Sequence, residues 1–217
     1  MGIVTCQISI SLDGFAAGPN QSLENPIGEG GMRLHEWLFP TAAWRRMQGL
    51  EGGEDGPDSQ VFEEASQDVG AYVMGRKMFG GGPGGWDLEW RGWWGPNPPY
   101  HVPVFVLTHH PREALTMEGG TTFNFVTDGI ESALKQAQAA AGDQKVSIAG
   151  GAGTVRQVLA AGRLDELYLH IAPVVLGAGE RLLEGVGDPE LEPVKVVASP
   201  AVTHIKYRIG RPTFNKT

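Results

Sequence analysis

The segment from residue 145 to 172 constrains the fold more than any other. Lys145 to Ala149 (KVSIA) is a β-branched, apolar run that passes directly into Gly150-Gly151-Ala152-Gly153-Thr154. A helical pattern follows with Val155, Val158 and Leu159 on one face. It closes at Gly162, and 166–172 (ELYLHIA) returns as a second strand. A strand, a short helix and a second strand predict a βαβ unit with parallel strands and a right-handed crossover. Such units occur in α/β proteins, where helices cover both faces of the sheet.

The rest of the chain extends this pattern. Residues 3–11 (IVTCQISIS) predict a first strand, and 12–32 read as a long loop rich in Gly, Asn and Pro. A short helix is expected after Thr41, and a second helix is expected to be capped by Asp58 or Ser59 and to end at Gly70. Val61, Phe62, Ala65 and Val69 form its buried stripe. Short strands are expected at 71–74, 102–108 and 122–127. Asp128 and Glu131 suggest a capping box for a helix carrying Ile130, Leu134, Ala137 and Ala141, stopped by Gly142. Residues 194–209 suggest two strands turning at Ser199-Pro200. The whole of 1–217 is read as one domain, with a Trp-, Gly- and Pro-rich insert at 84–101.

Composition narrows the partners. A formal charge of −8 disfavours a global attraction to nucleic acid or an anionic membrane, but small anionic ligands remain open to local backbone N–H groups and cations. The single cysteine, Cys6, has no partner for an internal disulfide, which fits a reducing cytoplasm. No apolar run approaches the roughly 18 residues of a membrane span. His101, His109 and His110 lack a carboxylate at ligand spacing, so no metal site is expected.

Chemistry concentrates at two glycine-bearing turns. Gly150 to Thr154 opens a helix, where unpaired N–H groups and the helix dipole attract anions. Glycine there serves either a tight turn or the close approach of a pyrophosphate. Gly75-Arg76-Lys77 follows a predicted strand on the edge where open α/β sheets bind ligands. Its cations read either as solvated charges or as a bidentate phosphate grip. Taken together, the two turns point to a dinucleotide carrying an extra phosphate, hence NADP rather than NAD. The pattern departs from G-x-G-x-x-G, since Arg156 stands at the third glycine position.

In order, Ser11-Leu12-Asp13-Gly14-Phe15, VMGRKMF at 73–79, VLTHHPRE at 106–113, IAGGAGTVRQVL at 148–159 and LDELYLHIAPVVLGAGERLL at 164–183 resemble the dihydrofolate reductase-like superfamily. The similarity is strongest to stand-alone bacterial proteins related to the C-terminal reductase half of the riboflavin-biosynthesis deaminase-reductase. The resemblance implies a three-layer fold: a mixed, mostly parallel eight-stranded sheet with helices on both faces and NADP(H) across its C-terminal edge. It implies cofactor contacts from Gly14, Ala16 and Ala17 beside the nicotinamide, and from Gly75, Arg76, Lys77, Met78, Thr108 and His109 around the adenosine and 2′-phosphate. Ala149, Gly150, Gly151, Ala152, Gly153 and Thr154 would cradle the pyrophosphate, with a cis Gly150–Gly151 bond. It also implies a homodimer.

Hydride transfer to C=N or C=O also needs a proton source. In folate reductases a buried carboxylate on the helix before the G-R motif organises it, with an aromatic one turn later. Asp58 and Phe62 approximate that spacing, although Asp58 reads first as a helix cap and second as that carboxylate. Asp13 reads first as a turn former and second as a group beside the substrate or nicotinamide. His170 is a buried core histidine or a pocket group that titrates near neutrality. Trp86, Trp90, Trp93 and Trp94 read as loop packing ahead of an aromatic pocket. The expected activity is NADPH-dependent reduction of a small heteroaromatic or carbonyl substrate, pterin-like or ribosylaminopyrimidine-like. The alternative is an NADP-binding sensor or scaffold without turnover.

Overall fold

A computed structural model describes residues 2–210. The elements are β1 (Val4–Ser11), β2 (Phe15–Ala17), a 3-10 turn (Gly31–His35), α1 (Ala42–Met47), α2 (Pro57–Ser66), β3 (Val69–Gly75) and α3 (Arg76–Phe79). They continue with β4 (Pro103–Leu107), β5 (Leu115–Thr116), β6 (Thr122–Val126), α4 (Ile130–Ala141), β7 (Lys145–Gly150) and α5 (Ala152–Ala160). The chain closes with β8 (Glu166–Ala172), β9 (Glu180–Arg181), β10 (Leu191–Ala198) and β11 (Thr203–Ile209).

The main sheet has the order β10-β11-β8-β1-β7-β3-β4-β6-β5. The run from β8 to β6 is parallel, and β11, β10 and β5 pair antiparallel at the two edges. The sheet therefore holds nine strands rather than eight, the extra one being the two-residue β5. β2 forms a separate ribbon with β9 inside the segment read as a continuous loop.

Alternation along the strands sorts side chains between two faces. On one face Val4, Cys6, Ile10, Val73, Phe105, Val146 and Ile148 pack with Ala133, Leu134 and Ala137 of α4 and Val155, Val158 and Leu159 of α5. Each fully buried aliphatic side chain there contributes about 2 kcal/mol. Burial pushes the Cys6 thiol up to about 12, so it stays protonated and unreactive. On the other face Met74, Val104, Val106 and Phe123 meet Phe79, and Trp86, Trp90, Trp94 and Tyr100 of the insert close over them. The insert is thus a second core layer without regular structure. Trp90 Nε1 donates to Phe79 O (3.1 Å) and Trp86 Nε1 to His110 O (2.8 Å), so both half-buried indoles have their N–H groups satisfied.

Three local expectations are corrected. α2 is capped by Gly56 with Pro57 at its first position, so neither Asp58 nor Ser59 is its cap. Proline needs no donor there, and its fixed φ starts the helix one residue earlier. α2 ends at Ser66, and Gly70 lies within β3, where an added Cβ would meet Ala141 Cα at 2.9 Å. Gly129, with φ 89°, caps α4 without a side-chain bond, in place of the expected Asp128 box. The Gly150–Gly151 peptide is cis.

Candidate functional site

The strands β1, β3, β4, β7 and β8 end side by side at Ser11, Gly75, Leu107, Gly150 and Ala172. From β3 the chain departs toward β4, and from β7 it departs through α5 toward β8 on the opposite side. The β3/β7 junction is therefore the point where the winding reverses and a crevice opens. The two glycine-bearing turns flank it.

Gly75 and Thr154 meet across this junction. A Cβ on Gly75 would stand 2.5 Å from Thr154 Oγ1, so only glycine admits this approach. Gly150 has φ +124°, with Met78 Sδ 3.3 Å from its absent Cβ. Nothing lies within 4 Å of the Cβ position of Gly151, and the nearest atom to that of Gly153 is Arg156 Nη2 at 3.8 Å. The first turn of α5 is therefore open on its glycine side, as a pyrophosphate cradle requires. Ala152 and Thr154 are buried beneath it, and Ala149 packs on the second core.

Arg76 is held by the insert. Its guanidinium stacks 3.8 Å over the Trp86 ring, and Nη2 donates to Gly85 O at 3.1 Å. Nε and Nη1 are buried with no hydrogen-bond partner. Arg112 lies 5.2 Å from the same ring and donates from Nη2 to Leu88 O, and its Nη1 is likewise buried and unpartnered. Two guanidiniums with unspent donors around one indole form a site suited to a phosphate dianion. Thr108 is buried and caps the turn by accepting from His110 N at 3.1 Å, while His109 is exposed.

Lys77 points elsewhere. Its ammonium pairs with Glu180 Oε1 at 3.1 Å, and Arg156 Nη2 reaches Glu180 Oε2 at 3.4 Å. The Lys77 hydrogen bond, followed by the Lys77 and Arg156 charges, holds the Glu180 carboxyl below its usual range. Glu180 lies within the 164–183 motif, but no local pattern marks it or Arg156 as neighbours of Lys77, because the three meet only across the fold.

At the β1 end, Gly14 has φ +88° and Phe15 N donates to Ser11 Oγ at 2.9 Å. Ala16 and Ala17 lie in the β2–β9 ribbon. Asp13 accepts from Leu176 N (3.1 Å) and Gly177 N (2.7 Å). A Ser11 hydrogen bond, with these backbone donors, lowers its carboxyl to about 2. It is a permanently ionised tether between two loops, which leaves it no proton to give at neutral pH.

Asp58, Phe62 and His170 come together on the sheet face under α2. Asp58 Oδ1 lies 3.0 Å from His204 Nε2, and His204 Nδ1 lies 2.8 Å from His170 Nδ1. Trp37 packs on both imidazoles with ring centroids 4.7 and 4.9 Å away, and donates from Nε1 to Ser9 Oγ at 3.1 Å. Phe62 joins Trp37, Leu38, Ala43 and Val202 in a compact cluster. Burial, reinforced by the neighbouring His204 and His35, drives the His170 pKa well below its usual value. Burial also lowers that of His204, opposed by Asp58. Neither His204 nor Trp37 stood out in the sequence, because their importance lies in what they touch. Among the described residues no group of three or more His, Cys, Asp or Glu side chains is placed to hold a metal ion, and no helix is long and apolar enough to cross a membrane.

The family model for the RibD C-terminal domain matches residues 3–205. The chain belongs to the RibD C-terminal domain family. Solved structures share the fold of this family member at low identity. A Shewanella sp. PV-4 protein assigned to riboflavin biosynthesis aligns with TM-score 0.61 and 20% identity over 96% of this chain and 99% of its own. The Thermotoga maritima diaminohydroxyphosphoribosylaminopyrimidine deaminase/5-amino-6-(5-phosphoribosylamino)uracil reductase aligns with TM-score 0.56 and 15% identity, over 96% of this chain and 57% of its own. Enterococcus faecalis dihydrofolate reductase complexed with NADP(H) aligns with TM-score 0.53 and 16% identity over 96% of each chain. No curated protein matches the sequence. The RibD C-terminal domain family thus supplies the dihydrofolate reductase-like α/β architecture expected from the ordered motifs.

Proposed function

We propose that this protein is an NADPH-dependent reductase of a small heteroaromatic or carbonyl compound, with a ribosylaminopyrimidine or pterin as the substrate class. The observation that carries this reading is the open side of the first turn of α5 at Gly151 and Gly153, in a turn that Thr154 seats against Gly75 across the β3/β7 junction. The unspent donors of Arg76 along the same strand edge support it. The cradle and the guanidinium suit a diphosphate and a separate phosphate, which together select NADPH over NADH. The reductases among its structural neighbours, one of them in complex with NADP(H), agree with this choice.

When bound, NADPH supplies the hydride. The chain's own residues do the rest. Gly150, Gly151 and Gly153 let the backbone approach the diphosphate, and the α5 dipole balances its charge. Arg76, stacked on Trp86, is fixed in orientation and keeps Nε and Nη1 for the third phosphate. Gly14 and the β2–β9 ribbon border the reacting end, with Asp13 tying that ribbon to the 176–177 turn. The proposal includes a cytoplasmic homodimer.

The test is a titration with NADPH and NADH, followed by absorbance loss at the nicotinamide band with 5-amino-6-(5-phosphoribosylamino)uracil, dihydropterins and simple ketones. Preferential NADPH binding with oxidation by one of these acceptors supports the proposal. Equal affinity for the two cofactors overturns the NADPH assignment. Tight NADPH binding without oxidation by any acceptor replaces the reductase with a non-catalytic nucleotide sensor.

A further inference from the structure

Tyr72 points from β3 to the sheet face opposite α4 and meets Tyr100, near the end of the insert, with ring centroids 4.9 Å apart and planes at 65°. Trp94 at 5.1 Å and Phe123 at 6.2 Å hold the Tyr100 ring edge-on. Both tyrosines line a cavity of about 250 Å³ between the insert and the α1–α2 pair. Met47 of α1 and Phe62 of α2 supply its apolar wall, and Trp44 braces Phe62 at 5.9 Å. Val69 also lines it, so the cavity sits at the start of β3, away from the Gly75 end. A dry apolar cavity of about 150 Å³ holds benzene, so this one has room for a substituted ring.

The lining also carries unspent donors. Among the described residues the hydroxyls of Tyr72 and Tyr100 make no hydrogen bond. Burial pushes the Tyr72 phenol up to about 12 and that of Tyr100 well above its usual value, so both stay protonated at neutral pH. The cation at the exposed mouth is already committed, since Arg46 Nη2 pairs with Glu63 Oε1 at 3.2 Å. These facts select the ligand. A hydrocarbon ring would leave both phenol donors unpaired in a half-dry site. A carboxylate would give up its hydration for neutral donors alone. A neutral carbonyl oxygen has two lone pairs and can take both phenols.

We propose that this cavity is a binding site for a neutral planar aryl amide or lactam, with its ring against Phe62 and Met47 and its carbonyl oxygen accepting from the Tyr72 and Tyr100 hydroxyls. Tyr72 precedes Gly75 by three residues, about 10 Å along β3, whereas hydride transfer needs reacting atoms within about 3.5 Å. The occupant therefore binds without being reduced. The inference goes beyond the reductase reading and does not depend on it.

The experiment titrates benzamide into the full chain labelled with 13C-methyl methionine. Met47 reports the cavity, and Met78, whose Sδ lies 3.3 Å from the absent Cβ of Gly150, reports the cofactor crevice. Benzamide is expected to shift the Met47 methyl saturably and to leave Met78 in place. Benzoate and toluene are each expected to bind at least about tenfold more weakly than benzamide, the first for its charge and the second for its missing acceptor. Tyr72→Phe and Tyr100→Phe keep the aromatic wall and remove one donor each, and each is expected to weaken benzamide about 3- to 10-fold. No shift at Met47, a shift at Met78 in its place, toluene or benzoate binding as tightly as benzamide, or undiminished affinity in the phenylalanine variants overturns the site. Should either variant fail to fold, the comparison of the three probes in the wild type decides.

Discussion

Thr154 Oγ1 stands 2.5 Å from the place a Cβ on Gly75 would occupy, although the two residues come from different strand–helix turns. This contact seats α5 against the end of β3 and sets the width of the crevice between them. Gly75 has φ −82°, so alanine meets no backbone penalty there and the obstacle is the Thr154 side chain alone. Gly75→Ala is expected to weaken NADPH binding at least tenfold by pushing the α5 turn outward. Thr154→Ala in the same chain is expected to restore part of that loss. A double-mutant cycle by calorimetry measures the coupling, and additive effects would count against this account.

The paired guanidiniums around Trp86 predict a selective loss. Charge-assisted hydrogen bonds contribute about 1.5–3 kcal/mol each. Arg76→Ala is therefore expected to weaken NADPH binding by roughly 10- to 100-fold while moving NADH affinity less than about threefold. Arg112→Ala is expected to show the same selectivity at smaller size, because its ring contact is longer at 5.2 Å. Parallel titrations with 2′-AMP and 5′-AMP isolate the phosphate contribution.

Glu180 places a carboxylate between Lys77 and Arg156, beside the glycine turn. Glu180→Gln is expected to raise NADPH affinity about threefold at low salt, an effect that shrinks in 0.5 M NaCl as screening grows. These pairs are partly exposed, so the same change should cost less than about 1 kcal/mol of stability at pH 7. The Glu180 pKa is depressed in the folded state, so that contribution is present above the unfolded glutamate value and fades as pH falls through the folded one. Urea melts at pH 7 and pH 3.5 compare the two conditions.

His170 predicts a sensitivity to acid. Its folded pKa lies well below that of the unfolded chain, so below about pH 6.5 the unfolded state binds a proton that the folded state refuses. Its contribution is complete above that pH and declines on acidification, by up to about 1.4 kcal/mol per pH unit. His170→Asn is expected to flatten this slope between pH 6.5 and 5, whatever its effect on absolute stability. Denaturant melts across that window supply the slope.

Short-range information made much of this molecule legible. The βαβ unit at 145–172 followed from alternation, helical spacing and glycine punctuation, all set by residues within a few positions of one another. The same locality explains why the helix starts differ from expectation: Gly56, followed by Pro57, takes the cap position in place of Asp58, and Gly129 takes it in place of Asp128, roles that several neighbours can fill. The insert offered no period to read, since its tryptophans are ordered by Phe79, Phe123 and Phe125 rather than by a repeating backbone.

By itself the sequence determined the α/β class, the order of the motifs and the two glycine-bearing turns, because each depends on local backbone preference. Only the tertiary structure decided that Asp58 meets a histidine 146 positions away, that His204 faces His170, and that Trp37 covers them both. Those meetings depend on sheet order and strand register. Register is fixed by which faces of distant strands bury together, a property that no single stretch of chain contains.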